Sequence, residues 1–414
     1  MGFGKKGKVA LFMNSNYKFY AGGKYHACLL ANALVGQGIG VDVLTERPSP
    51  VLSVLDSSVG VVTSEKWEKQ IENRVNDYDF VMGVPFDAAE RAKFFAKRFL
   101  KHLLLLIFDV PNWEYSVKYN GDIPKHVEQQ WRGIKFSAMG CSGIFCSTEI
   151  GKKYAVEYLD EANPMTFYVL NTPLNSKIIS EIKDVQEKDK LIFISRFIEH
   201  KNYKTPVRVA AELKRQGKDF ELVMIGGFLK PEIRSSLESL ARKSDVKISL
   251  IDEIGDEAKF HHLAESKALL FPSSFEGFGM PPGEALCLDK PCIAYDLPVL
   301  RETYGDLLTY AKWGDESDYI KKAIEVIVAS ESDGKDKKAQ KQKADKLSKL
   351  KTTLSLEDTG KRAVKILERI CTFSAEQYQA GQIFFDKDLK KKPSKTKEPE
   401  KEKEKEPEST SAKE

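Results

Sequence analysis

The stretch FPSSFEGFGMPPGEALCLDKP, running from Phe271 to Pro291, follows an apolar run and changes character within a few residues. A strand-sized segment ends at Pro272, a loop carries Gly277 and Gly279, and Pro281 with Pro282 suit the beginning of a helix, where a missing N–H costs little. On this reading Glu276 stays in the loop near the strand end and Glu284 falls in the first turn of the helix, with seven residues between the two carboxylates. The main-chain N–H groups of Gly277, Phe278, Gly279 and Met280 then suit phosphate or sugar oxygens. Carboxylates beside them accept hydrogen bonds from diols, which ribose and hexoses both offer. Taken alone, the same stretch also reads as two surface glutamates flanking a turn.

Outward from this point the strand-then-helix grammar repeats. A first set of short apolar or β-branched runs reads KVALFM, VDVLT, VGVVT, DFVMGV, LLLLIFD and GIFCST, and a second reads LIFIS, ELVMIGG, VKISL, ALLFP and PCIAYD. Stretches of helical period lie between them, so parallel sheets with crossover helices are expected. The turn-rich, then charged, segment from Asn171 to Lys190 is the best boundary between the sets. The fold class predicted is α/β, two doubly wound Rossmann-like domains facing across a cleft, at 1–172 and 173–354, then a closing helix region at 355–385. Residues 331–351 are dense in lysine, and the Lys/Glu-rich tail at 386–414 lacks apolar periodicity and is expected to be disordered.

In open α/β sheets ligands sit beyond the carboxyl ends of the strands, so the residues after LIFIS, ELVMIGG and ALLFP should converge. After LIFIS come Arg196 and Lys201, followed by Thr205 and Pro206 as an expected N-cap and first helical residue. Two cations near a helix start suit a diphosphate, although two solvated charges are the plainer reading of that pair by itself. Gly226 and Gly227 allow either close approach of a ligand or a tight turn. Only the three exits together point to a site.

Composition sets the outer bounds. The 414 residues carry 65 Lys+Arg against 61 Asp+Glu, a net charge of +4, which leaves no global footprint for nucleic acid. The six cysteines lack CxxC spacing, favouring free thiols in a reducing cytoplasm over zinc or disulfides. No apolar run is long enough to span a bilayer, and the opening MGFGKKGKVALFM reads as a first strand and not as a signal peptide. The segment ERAKFFAKRFLKHLLLL has the pattern of a basic amphipathic helix, taken over residues 91–104, which reads either as an ordinary crossover helix or as a peripheral membrane contact. His26, His102, His126, His200, His261 and His262 show no ligand spacing beyond one adjacent pair, and structural or solvated roles are expected for each.

At FPSSFEGFGMPPGEAL the chain resembles the retaining glycosyltransferases of family 4, also described as glycosyl transferases group 1, whose signature is Glu, seven residues, Glu. SRFIEHK, Ser195 to Lys201, resembles the Arg and Lys element before the first helix of their donor domain, and YAGGKYHACLLANAL resembles their first glycine-rich loop and helix. The similarity is tight from about Leu191 to Asp306 and looser before it.

The resemblance implies the GT-B architecture and transfer of a sugar from a UDP- or GDP-sugar, with the anomeric configuration kept, to a glycan, protein or lipid-linked acceptor. Arg196 and Lys201 would hold the diphosphate and stabilise the leaving group, Glu284 the ribose diol, and Glu276 the donor sugar. Phe278, Gly279 and Met280 would help through main-chain N–H groups, while Gly22 and Gly23 would close over the phosphates. No cofactor and no metal are implied; Asp77-Tyr78-Asp79 sits at the wrong end of a strand for a metal site, and Asp386-Lys387-Asp388 lies in the tail. One departure is the usual histidine near the end of a middle N-terminal strand. Here Asp109 is the polar substitute, and it either assists deprotonation of the acceptor or caps a turn. Two alternatives stay open, a catalytically silent nucleotide-binding scaffold and a sugar-nucleotide epimerase.

Overall fold

The computed structural model describes residues 7–13, 22–63, 77–84, 92–94, 96–97, 101–118, 121–329 and 337–388. The first sheet contains β1 (Lys8–Phe12), β2 (Gly40–Thr45), β3 (Gly60–Thr63), β4 (Phe80–Gly83), β5 (His102–Ile107), β6 (Gly143–Cys146) and β7 (Phe167–Val169). Its order is β3-β2-β1-β4-β5-β6-β7, with every neighbouring pair parallel. The second contains β8 (Lys190–Ile194), β9 (Glu221–Ile225), β10 (Ile248–Ile251), β11 (Ala268–Phe271), β12 (Cys292–Tyr295) and β13 (Thr309–Ala311), ordered β10-β9-β8-β11-β12-β13 and again parallel. The doubly wound α/β fold class is therefore as expected.

Parallel strands need crossovers that cover both faces, so their residues read as continuous apolar runs. Leu103 to Ile107 in β5 and Leu191 to Ile194 in β8 are buried throughout, in line with that rule. The helices that matter for the cleft are α1 (Gly22–Val35), α2 (Pro111–Lys118), α3 (Lys125–Ala138), α4 (Glu149–Tyr158), α5 (Thr205–Arg215), α6 (Asp256–Ala264) and α7 (Met280–Cys287). The lysine-dense segment forms α8 (Lys337–Thr353), and the closing helix is α9 (Leu356–Asp388).

By its contacts the chain divides into a body through Ile370 and a second unit from Cys371 onward. Within the body, α9 returns to the first sheet: Ala363, Leu367 and Ile370 are buried, and Arg362 donates to Asn171 Oδ1 at 2.9 Å. The chain thus passes between the sheets twice, after β7 and again before α9. The two passages touch where Leu174 N donates to Leu354 O at 2.8 Å. In the second unit the described backbone continues α9 to Asp388, so Asp386 to Asp388, assigned above to the tail, are helical; the rest of that tail lies outside the described residues.

Two further boundaries need correction. The amphipathic helix expected over 91–104 cannot run that far, because His102 begins β5 and pairs with Phe80 of β4. Thr205 is the first residue of α5 and not its cap, since Lys204 takes the cap position and the Thr205 hydroxyl donates to Glu316 Oε1 at 2.5 Å. Among the described residues no helix is long and apolar enough to cross a membrane. All six cysteines are free, four of them buried.

Candidate active site

The strand order reverses between β1 and β4 in one sheet and between β8 and β11 in the other, and crevices open at such switch points. A cavity of about 740 Å³ lies there, between the carboxyl ends of the two sheets. It is lined by Met13, Val84 and Phe108 from the exits of β1, β4 and β5, and by Arg196, Gly227, Glu253 and Glu276 from those of β8 to β11. That volume lies within the range of small-molecule sites.

Backbone contacts zip the exits of the second sheet together. Ser195 N donates to Ile225 O at 3.1 Å and Phe197 N to Gly227 O at 2.9 Å, joining the loops after β8 and β9. A side chain on Gly226 would place Cβ 1.7 Å from Ser195 O, so glycine there serves backbone packing. Asn202 Nδ2 donates to Pro272 O at 2.8 Å, and Ser274 N to His200 O at 2.8 Å, fastening the SRFIEHK loop to the FPSSFE loop.

Those ties bring Lys201 Nζ within 2.7 Å of Glu276 Oε1, an ion pair at the cavity wall. Burial pulls the Lys201 ammonium below its usual range, against the upward pull of Glu276. The Arg196 guanidinium lies 5.8 Å from the ring centroid of Phe228. Gly279 adopts φ 82° as the cap of α7, the left-handed region that glycine enters without strain, and Tyr304 Oη donates to its carbonyl at 2.5 Å. The helix therefore starts at Met280, one residue before the prolines, and Glu284 lies in its second turn instead of its first. Pro281 and Pro282 have no N–H to give, so donors at this end come from the loop before them. Phe278 is itself buried, its ring edge-on to Tyr304, leaving its main chain for the cavity.

Glu284 is almost wholly buried and pairs with Lys259 Nζ at 2.9 Å. Lys259 also meets Asp256 Oδ1 at 3.1 Å. Burial pushes the Glu284 carboxyl up, while Lys259 draws it back. For Lys259 burial acts downward, but the two carboxylates outweigh it and hold the ammonium above its usual range. Asp256 in turn accepts from Tyr25 Oη at 2.5 Å and from Asn175 Nδ2 at 2.8 Å. A single carboxylate thus links α1 of the first half to α6 of the second.

Further contacts close the two halves on each other. Glu302 accepts from Glu149 N at 2.7 Å and Ile150 N at 3.0 Å, capping α4 from the other half. Trp113 meets Phe275 edge-on at 5.3 Å, and a Cβ on Gly277 would stand 2.6 Å from Phe108 O and 3.6 Å from Asp109 Cβ.

Arg196, Lys201, Gly226, Gly227, Glu276, Phe278, Gly279, Met280 and Glu284 line the cavity from the second half, and Gly22, Gly23 and Asp109 line it from the first. These are the residues the sequence assigned to the donor and acceptor site, and all of them line this one cavity. Sequence reasoning missed Tyr25, His26, Glu253, Asp256 and Lys259. The usable signal was helical spacing, since His26 stands four residues after Gly22, and Lys259 three after Asp256, on one helix face in each case. Asp79, from the unused acidic string, precedes β4 and accepts from Lys8 N at 2.9 Å, away from the strand exits.

Residues 175–347 match the family Glycosyl transferases group 1. The matched region contains all nine second-half residues named above, and Gly22, Gly23 and Asp109 lie outside it. Among curated proteins, the serotype-specific mannosyltransferase WbdA of Escherichia coli is 35% identical over 122 residues, which are 28% of this chain and 14% of WbdA. The O-antigen chain mannosyltransferase RfbU of Salmonella typhimurium is 26% identical over 141 residues, 33% of this chain and 38% of RfbU. The chain therefore spans a small part of the length of either relative. Among solved structures, a glycosyltransferase from Rickettsia africae superposes with a TM-score of 0.68 at 15% identity, covering 88% of this chain and 99% of the other. Anabaena Alr3699/HepE in complex with UDP and glucose gives 0.67 at 11% identity, covering 87% and 99%. At such identities the likeness speaks for the fold alone, which is GT-B.

Proposed function

We propose that the protein is a retaining glycosyltransferase that moves a hexosyl group from a nucleoside diphosphate sugar to a hydroxyl acceptor. The observation that carries this reading is the convergence of Arg196, Lys201, Glu276 and Glu284 on one cavity inside the region matching glycosyl transferases group 1. GT-B folds serve several chemistries, so the family match and not the fold favours transfer.

The donor's diphosphate would lie against Arg196, Lys201 and the loop N–H groups before α7, where negative charge grows as the anomeric C–O bond breaks. Glu284, already fixed by Lys259, offers its carboxylate to the ribose diol, and Glu276 faces the sugar. The acceptor oxygen would bond to the anomeric carbon on the face the diphosphate leaves, its proton passing to a departing phosphate oxygen, with Asp109 beside the reacting centre. Two cations at the diphosphate are the ground for a metal-independent reaction. Six carboxylates, from Asp109, Glu114, Glu253, Asp256, Glu276 and Glu284, also line the cavity, and binding in EDTA against magnesium separates the two cases.

The relatives' names, with UDP in one neighbour, make a UDP- or GDP-hexose the donor to try first. For the acceptor, a lipid-linked glycan presented at an anionic membrane surface fits the exposed side chains of Phe94, Phe136 and Met139, with the Lys93 ammonium over the Phe136 ring. Free thiols suit the cytoplasmic side.

Calorimetry of the full chain with UDP, GDP, UDP-glucose and GDP-mannose, in EDTA and again in magnesium, tests the donor site. Binding of one nucleoside diphosphate in EDTA is expected, lost on Glu284→Ala. In Arg196→Ala donor turnover should fall by roughly ten- to a thousandfold, the scale of one charged transition-state contact. Binding of none of the four in either buffer would remove the reading.

A further inference from the structure

His26 was expected to have a structural or solvated role, and its surroundings raise a further one. It lies on α1, is 1% exposed, and lines the cleft cavity. One ring nitrogen, Nδ1, lies 3.1 Å from Thr172 Oγ1, and that hydroxyl donates onward to Ser147 Oγ at 3.3 Å. With its hydrogen given to Ser147, Thr172 accepts from His26 Nδ1–H. The proton of a neutral imidazole is then placed on Nδ1 and the lone pair on Nε2. Nε2 is buried and has no hydrogen-bond partner among the described residues.

The neighbourhood of the ring narrows what could supply one. Phe108 lies 5.2 Å away between ring centroids, and Phe108 O is the atom a Cβ on Gly277 would strike, so the ring stands near the turn after Glu276. A Cβ on Gly22, one helical turn earlier on the same face of α1, would stand 3.7 Å from Met280 Cε. A lone pair there cannot serve an ionised phosphate, which offers only acceptors, and the Glu284 subsite for ribose is already bounded by Lys259. We propose that His26 Nε2 accepts a hydrogen bond from a hydroxyl of the donor's hexosyl group and so positions the sugar for transfer. This rests on the donor-site reading above. His26 here orients and does not take the proton, because burial keeps it neutral.

The test compares nucleotide with nucleotide sugar. In calorimetry, His26→Leu should weaken UDP-glucose or GDP-mannose by about three- to tenfold, the scale of one neutral hydrogen bond, while the parent UDP or GDP stays within about twofold. His26→Gln, with an amide oxygen that can reach toward the same point, should recover most of the loss. Equal weakening of nucleotide and nucleotide sugar would mean a structural role and overturn the proposal, as would no loss at all. In the wild-type chain, where folding is not at issue, ¹⁵N spectra of His26 should show the Nδ1–H tautomer, with the Nε2 resonance moving on addition of the nucleotide sugar and not of the parent nucleotide. An Nε2–H tautomer, or an equal shift with nucleotide alone, would assign Nε2 to a buried water or the backbone frame and overturn it. Should the wild type bind no nucleotide, the donor-site reading falls and takes this inference with it; an unaltered sugar increment in His26→Leu removes the inference alone.

Discussion

Burial pushes the His26 imidazole down to about 3, against 6.5 for an ordinary histidine. Below pH 6.5 the unfolded chain takes up a proton that the folded chain refuses. The stability owed to a neutral His26 is therefore complete above pH 6.5 and is lost as pH falls from 6.5 toward 3, at up to about 1.4 kcal/mol per unit. Denaturant melts at pH 6.5 and 4.5 should show a shallower loss in His26→Leu than in the wild type; equal losses would mean that the wild-type ring is solvated or charged. Asp289 sits at φ 55°, a left-handed position that aspartate tolerates better than most residues. That geometry was not legible in the sequence. Gly226 was legible only as ambiguous, because the carbonyl it must clear, Ser195 O, belongs to the neighbouring strand's exit.

Between elements, Lys259 joins α6 to α7 through Asp256 and Glu284. Removing one partner of a buried pair leaves a charge without compensation, so Lys259→Met should cost about 3 kcal/mol in a denaturant melt. Adding Glu284→Gln should restore most of that stability without restoring nucleotide affinity. A double variant as unstable as the single one would show that the lysine acts through packing instead. The sequence displayed Asp256 and Lys259 at helical spacing, but Glu284 lies on a different helix, and only the fold makes them neighbours. Eleven of the strands were readable from apolar runs, whereas β7 and β13 were not: each has three residues at a sheet edge, too few to show a period. The helix starts at Thr205 and Met280 were each misplaced by one residue for a related reason. Lys204 and Gly279 take the cap positions through backbone geometry, without a capping side-chain hydrogen bond.

For the molecule as a whole, the cleft was legible because strand exits converge by a topological rule, while the closeness of its walls depends on pairs such as Tyr25 and Asp256 that lie far apart in sequence. The surface around Lys93 belongs to this scale too. Phe94, Phe136 and Met139 are 59%, 62% and 51% exposed, with the Lys93 ammonium lying over the Phe136 ring. Lys97 and Arg132 are exposed nearby on the same two segments. On α3, Gln130 and Trp131 line the cavity and Phe136 stands about 9 Å further along the axis, so an apolar, cationic face lies close to the cleft. The chain should sediment with phosphatidylglycerol vesicles, weaken as salt is raised, and ignore phosphatidylcholine. Phe136→Glu with Met139→Glu should reduce that binding by at least about fivefold, and unchanged binding would remove the membrane from the proposal.

The paired chain passages near Leu174 and Leu354 carry a mechanical meaning. Two parts joined at one point can tumble in every direction, but two strands tied side by side act as a pivot, leaving rotation about a line as the easy movement. Atoms on the rim of the cleft then travel furthest for a given swing, and a small ligand gripped there works with the full length of the lever.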